Sequence, residues 1–396
     1  MGIICCAVFV IVGWGNATIP DEIFVADGVD YDVSDIFTVS IDENSTADTI
    51  AKKAGEYTLN VSLLKAIPVK TAKLTIAQRR YVVPGGTIIG LKLYTKGVTV
   101  VGIDDVLTET GTVRPAENAG IKCGDSITAI NGTSVSTSSQ VASIFRENDG
   151  TPLTVTVERA QETFEITLIL AKCTSDGNYK AGLWIRDSAA GIGTMTFYDR
   201  NNGIYASLGH AVCDIDTGDV MTVSGGECVE ANLTGCYKGS NGSAGELCGV
   251  FGTQSLGTLV LNGSTGAFGV LDVYDKNAPV LPVATASEIT TGSAQIISTV
   301  DETGPQLYDI EITKLYRTDT NETRDMSIRV TDTDLIEKTG GIVQGMSGSP
   351  IIQNGMVVGA VTHVFINDPT QGYAIYAEKM MDTANIITQR NLQAAS

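Results

Sequence analysis

The chain has only two histidines, His210 and His363, among its 396 residues. Imidazole acid–base chemistry near neutral pH must therefore pass through one of these two positions. Basic residues are also sparse. The chain carries 26 Lys and Arg against 45 Asp and Glu, a formal charge of −19. No Lys/Arg cluster interrupts the acidity, so there is no landing patch for a phosphate backbone, and nucleic acid is excluded as a partner. The eight cysteines contain no CxxC pair, which argues against a zinc ribbon, and no metal site is expected. Cys213, Cys228, Cys236 and Cys248 fall close together, but the sequence does not choose among their possible pairings. Proline is scarce, at 10 residues against 43 Gly. Runs rich in Val, Ile and Thr outnumber stretches of Glu, Lys, Ala and Leu, so the composition predicts a mainly β protein.

Long apolar runs are missing too, apart from residues 3–12, IICCAVFVIV. That run is short for a bilayer core of ~30 Å. It suits the apolar part of a signal peptide, or a short membrane anchor, over residues 1–17. A buried first strand is the alternative. From 18 to 80, short β-like runs alternate with polar turns and carry no visible chemistry, as in a small β-rich spacer or packing region.

The text changes at residue 81. YVVPGGTIIGLKLYTKGVTVVGI offers two strands around a glycine-bearing loop, and PAENAGIKCGDSITAINGTSV a short helix, a turn at Asp125 and a strand ending in Asn131-Gly132. SSQVASIFREN then places Val141, Ile144 and Phe145 at helical spacing, before a closing hairpin. The AGIKCGDSITAINGTSV segment resembles a PDZ domain, here over 81–175. The resemblance implies recognition of an extended peptide by strand addition. The expected peptide-facing loop is Ile89-Gly90-Leu91. Use of the same fold for internal packing alone is the other reading.

From 176 to 396 the chain reads as one β domain. In GGIVQGMSGSPIIQNG, Ser347 stands between glycines that let the backbone bend sharply. The amides of Gly345 and Ser347 can then face a developing oxyanion. A serine hydroxyl needs a base to take its proton and a third group to hold that base. His210, in SLGHA, is one candidate base. His363, sixteen residues past the serine on a strand returning from Asn354-Gly355, is the other. Taken alone, the glycines favour a tight turn over a nucleophile loop.

LGHAVCDIDTG and TDTDLIEKTGGIVQGMSGSPIIQNGMVVGAVTHVFINDPTQGYAIYAE resemble the SpoIVB peptidase family, PDZ-containing serine peptidases of endospore-forming bacteria. The resemblance spans roughly 81–388. It implies a PDZ domain followed by a trypsin-like double β-barrel peptidase domain, working without a cofactor. It implies Ser347 as nucleophile, His210 as base and Asp332 as the residue that orients the histidine, with Asp334, Asp214 and Asp216 as rivals for the last role. His363 is then expected in the substrate cleft. The resemblance further implies export across the cytoplasmic membrane, to the space between the membranes around the developing spore. It implies limited proteolysis of protein or peptide substrates: the chain itself, and a regulator of an intramembrane protease that releases a late transcription factor. A general exported quality-control protease and a catalytically inactive PDZ adaptor are the competing readings.

Overall fold

The computed structural model describes residues 11–14, 19, 22–26, 37–41, 55–64, 66–160, 162–316 and 323–394. Apart from 11–14, the expected leader over 1–17 lies outside them. Among the described residues no helix is long and apolar enough to cross a membrane. Four of the described strands build a separate sheet in the order Glu22–Ala26, Ile67–Ala77, Gly55–Leu63, Phe37–Ile41. Leu59, Val61 and Leu63 alternate along one strand and bury one face with Leu74 and Ile76 from its neighbour, as period-two patterning requires.

Two closed barrels follow. In the first, the ring runs Ile88–Ile103, Val223–Tyr237, Glu246–Gly263, Gly266–Leu271, Ile204–Ser207 and Leu183–Tyr198, closed by pairing of the last strand with the first. In the second it runs Gly292–Ser298, Gln306–Leu315, Met326–Val330, Asp368–Tyr376, Met356–Phe365 and Pro350–Gln353. Closure leaves neither ring a free edge to aggregate. The C-terminal helix Ala377–Ala394 seals the back of both barrels. Its Ala377, Met380, Met381, Ala384 and Ile387 recur at helical spacing and pack with Phe197, Ile204 and Phe268 of the first barrel and Ala360 and Ile375 of the second.

The PDZ domain is an insertion in the first barrel rather than a module that precedes it. Residues 88–95 are barrel strand. The same strand then continues beyond Gly97 (φ 82) into the PDZ core. A side chain at Gly97 would run into the Ile127 carbonyl. The expected peptide-facing loop is corrected by this arrangement. Ile89 and Leu91 are buried in the first barrel with Leu259 and Tyr205, and Gly90 lies under Phe251 and Val229. Three apolar positions in mid-strand, paired on both sides, have no edge to offer a peptide.

The PDZ core itself follows its local signals. Pro115 opens the helix Pro115–Ala119 and Gly120 closes it in the left-handed conformation. Thr137 and Gln140 form a capping box on the helix Ser138–Glu147. The turn residue Asp125 is fully buried and held in a two-point pair by Arg159, at 2.6 and 2.7 Å.

Candidate active site

The loop bearing Ser347 leaves the short helix Thr333–Thr339 and enters strand Pro350–Gln353. Its shape depends on two glycines in left-handed conformations, Gly345 (φ 95) and Gly348 (φ 96). A Cβ on Gly348 would overlap the Thr194 carbonyl and the Leu208 amide, so the first barrel's backbone passes where a side chain would stand. Thr194 fastens the loop from that side. Its amide donates to the Ser347 carbonyl (3.0 Å) and its hydroxyl to the Gly345 carbonyl (2.8 Å). From the other side Gly348 donates to Val361 (2.8 Å), and the buried Ser349 and Ser298 hydroxyls pair at 3.0 Å. Among the described residues, neither the Gly345 nor the Ser347 amide has a protein acceptor. Both remain open to a ligand oxygen.

His210 follows two successive residues in the left-handed region, Leu208 (φ 68) and Gly209 (φ 71). For leucine this conformation is costly, and it survives because the barrel around it fixes the turn. The Leu208 amide donates to the Thr194 carbonyl at 3.3 Å, so Thr194 holds both the nucleophile loop and the histidine turn. Beyond the histidine, the buried Asn262 holds the segment 212–221: its amide group donates to the carbonyls of Val212 and Met221 and accepts from the Val212 amide. Neither Thr194 nor Asn262 stood out in the sequence, because threonine and asparagine in strand text carry no distinguishing pattern.

The His210 ring contacts the Ala211 carbonyl through Nδ1 at 2.8 Å. A carbonyl can only accept, so Nδ1 carries the proton and Nε2 keeps its lone pair. Burial lowers the His210 pKa below its usual value, against the opposing pull of that carbonyl. The neutral ring is thus the stable form. His363 lies beside it, ring centroids 5.1 Å apart. Its pKa is pushed down to about 4, by burial first and then by the His210 and Arg324 charges.

Ser347, His210 and His363 line one cleft of about 770 Å³, together with the amide-bearing Gly345 and an apolar wall that includes Leu93, Ile192 and Val343. The Ser347 hydroxyl donates to the Thr362 carbonyl (2.8 Å) rather than to the histidine. Among the described residues, the thiol that lines the cleft is that of Cys213. Burial pushes Cys228 up to about 12, and Cys213, at the cleft, is raised by burial and by Asp219. All six described cysteines are free.

Asp332 is not brought to the histidine. It is the N-cap of helix Thr333–Thr339, where its carboxylate accepts from the Leu335 amide (3.0 Å) and the Asp309 amide (3.2 Å). It faces a different hollow, with Tyr308 and Lys338. Its rivals are engaged as well. Asp214 and Asp216 bind Arg186 at 2.6 and 2.5 Å, and Asp334 binds Lys338 at 2.8 Å. Among the described residues the partner of the His210 ring is a backbone carbonyl. The signal was present in the sequence: an aspartate three residues before Leu335, with Gly340 in the left-handed conformation at the far end, is a helix start and stop.

Two six-stranded barrels, a serine loop with open amides and a neutral histidine on one cleft, and a PDZ insertion define a PDZ-containing serine peptidase. Residues 177–381 match the family model described as SpoIVB peptidase S55, and residues 114–159 match that of the PDZ domain. The chain belongs to the SpoIVB peptidase S55 family. A curated protein of Vibrio cholerae, provisionally named a zinc metalloprotease, is 31% identical over 111 residues, 28% of this chain and 25% of that one. The chain thus spans about a quarter of the length of that relative. Among solved structures, a protease of M. tuberculosis in its active form aligns over 49% of this chain and 72% of the other, with 18% identity and a TM-score of 0.30. Its inactive form aligns over 48% and 81%, with 17% identity and a TM-score of 0.26.

Proposed function

We propose that Ser347 and His210 form a serine–histidine pair that hydrolyses peptide bonds, with the Ala211 carbonyl in the orienting position. His210 Nε2 takes the Ser347 proton as Oγ bonds to the substrate carbonyl carbon. The oxyanion so formed accepts from the Gly345 and Ser347 amides. Nε2–H then protonates the leaving amine, the peptide C–N bond breaks, and an acyl-serine remains. Water, deprotonated by the same nitrogen, hydrolyses that ester and restores the hydroxyl. A carbonyl in place of a carboxylate keeps the tautomer correct but gives less stabilisation to the imidazolium, which suits slow and limited cleavage.

The observation that carries this reading is the shared cleft of Ser347 and His210, with two open amides in the same loop. A Ser347→Ala chain is expected to lose on the order of 10⁴ or more in turnover on a peptide substrate. His210→Ala should fall nearly as far, and His363→Ala much less. Turnover by Ser347→Ala at the parent rate would refute the assignment.

At the cellular level, family membership supports limited proteolysis as a signal in sporulation. The substrates on this reading are the chain itself and a regulator of an intramembrane protease, met after export between the membranes around the spore. Self-cleavage in a spore-forming host, and its loss in Ser347→Ala, tests this part. A wild-type sporulation phenotype with the serine variant would exclude it.

A further inference from the structure

A PDZ domain takes a peptide as an extra strand between one edge of its sheet and a helix. Here that edge is the strand half Val98–Ile103 and the helix is Ser138–Glu147, and a strand of the same chain already lies between them. Leu183 pairs with Ile103, Trp184 with Gly102, Ile185 with Val100 and Arg186 with Thr99, all antiparallel. Leu183 and Ile185 face the core formed by Val98, Val100, Ile127 and Val141, while Trp184 is 63% exposed. At the far end the Asp187 carboxylate accepts from the Ser138 amide (2.7 Å) and hydroxyl (2.8 Å), and the Asp187 carbonyl accepts from the Thr95 hydroxyl (3.0 Å). Segment 183–187 therefore makes the contacts of a bound peptide: ladder bonds, two inward apolar side chains and, at one end, the side-chain carboxylate of Asp187.

The fit is incomplete. The register shifts between Trp184 and Ile185, and again between Arg186 and Ser188, so the ladder is interrupted on both sides of Ile185. Leu183 and Ile185 are only half-buried. An open hollow of about 410 Å³ adjoins Leu183 and Trp184 at the helix end, against Ala142, Phe145 and Arg146.

We propose that this groove is a peptide-binding site occupied in cis by Leu183–Asp187. Its ligand is an extended peptide carrying apolar residues at two alternate positions and a carboxylate two residues further on, which displaces the resident strand. The proposal does not depend on the catalytic assignment, because binding is measured on the Ser347→Ala chain.

The probe is a fluorescein-labelled peptide of residues 181–188, followed by anisotropy on the full chain. Asp187→Ala releases the resident strand and is expected to tighten probe binding at least ~10-fold over the parent. The pair Gly102→Cys and Trp184→Cys locks the strand. A Cβ built on Gly102 lies 3.4 Å from that of Trp184, close to the ~3.5–4.5 Å of a disulfide. The oxidised form should bind the probe at least ~10-fold more weakly than the reduced form, and a probe with asparagine for its aspartate should bind the parent more weakly. Equal binding by oxidised and reduced forms overturns the proposal. So does an Asp187→Ala chain that binds no better than the parent, or that binds nothing. If the cysteine pair fails to fold or close, the Asp187→Ala comparison decides.

Discussion

At the residue scale the decisive finding is that His210 has a carbonyl for a partner and Asp332 has a helix to cap. Asp332→Ala should therefore leave kcat/KM of the folded protein within about tenfold of the parent, while costing ~0.5–2 kcal/mol of stability, read by urea titration. A loss of 10³ or more in turnover would restore the aspartate to the active site. The lowered His210 pKa fixes the pH behaviour of the reaction. The base is lost only when Nε2 is protonated, so the acid limb of kcat/KM should lie below the ordinary 6.5 of an imidazole. Stability carries its own dependence. An unfolded His363 binds a proton from about pH 6.5 downward, the folded one only near 4, so between these values the unfolded state holds more protons and the fold weakens as pH falls. Melting temperatures across pH 4–7 should drop on the acid side, with a shallower slope in His363→Gln. In the sequence the glycines around Ser347 alone favour a turn, and Ser347 and His210 could be singled out by the scarcity of histidine and by the extended family motif. Thr194 could not, since its role comes from which backbone passes beside it.

At the scale of elements, the site is a junction of turns carried by strands from both barrels. Gly348 sits where the nucleophile loop passes against the first barrel, in a conformation open to glycine and beneath the Thr194 carbonyl. Gly348→Ala is expected to cost ~3 kcal/mol or more and to abolish serine labelling together with stability, since the overlap is with backbone and cannot be relieved by a rotamer change. Wild-type melting and labelling of that variant would contradict the junction as described. The helix Ser138–Glu147 was readable from the spacing of Val141, Ile144 and Phe145, and the helix Pro115–Ala119 as a short helix before the turn at Asp125. The strand Ile88–Ile103 was misplaced because its two halves serve different domains. Its strand text runs on without a break, and Gly97 marks where barrel gives way to PDZ core.

At the scale of the whole molecule, composition and turn frequency predicted the mainly β class, and the motif text pointed to the two-barrel peptidase. How the parts are threaded was not legible. An insertion leaves no local trace when the strands entering and leaving it look like any others. The helix Ala377–Ala394 ties the halves together through Met380, which is fully buried at the seam between barrels. Met380→Ala should cost about 2–5 kcal/mol and lower the melting temperature of both barrels in one transition. Two separated transitions would mean that the barrels are stable independently.

The central claim is a Ser347–His210 pair whose histidine, among the described residues, is held by a backbone carbonyl in the place of a carboxylate. Its most direct test is the rate of labelling by a serine-directed fluorophosphonate, measured side by side on the parent, Ser347→Ala, His210→Ala and Asp332→Ala. The expected result is no labelling of the serine variant, labelling slowed at least ~10³-fold in the histidine variant, and a near-parent rate in the aspartate variant. Labelling of Ser347→Ala, or an aspartate variant as slow as His210→Ala, would contradict it.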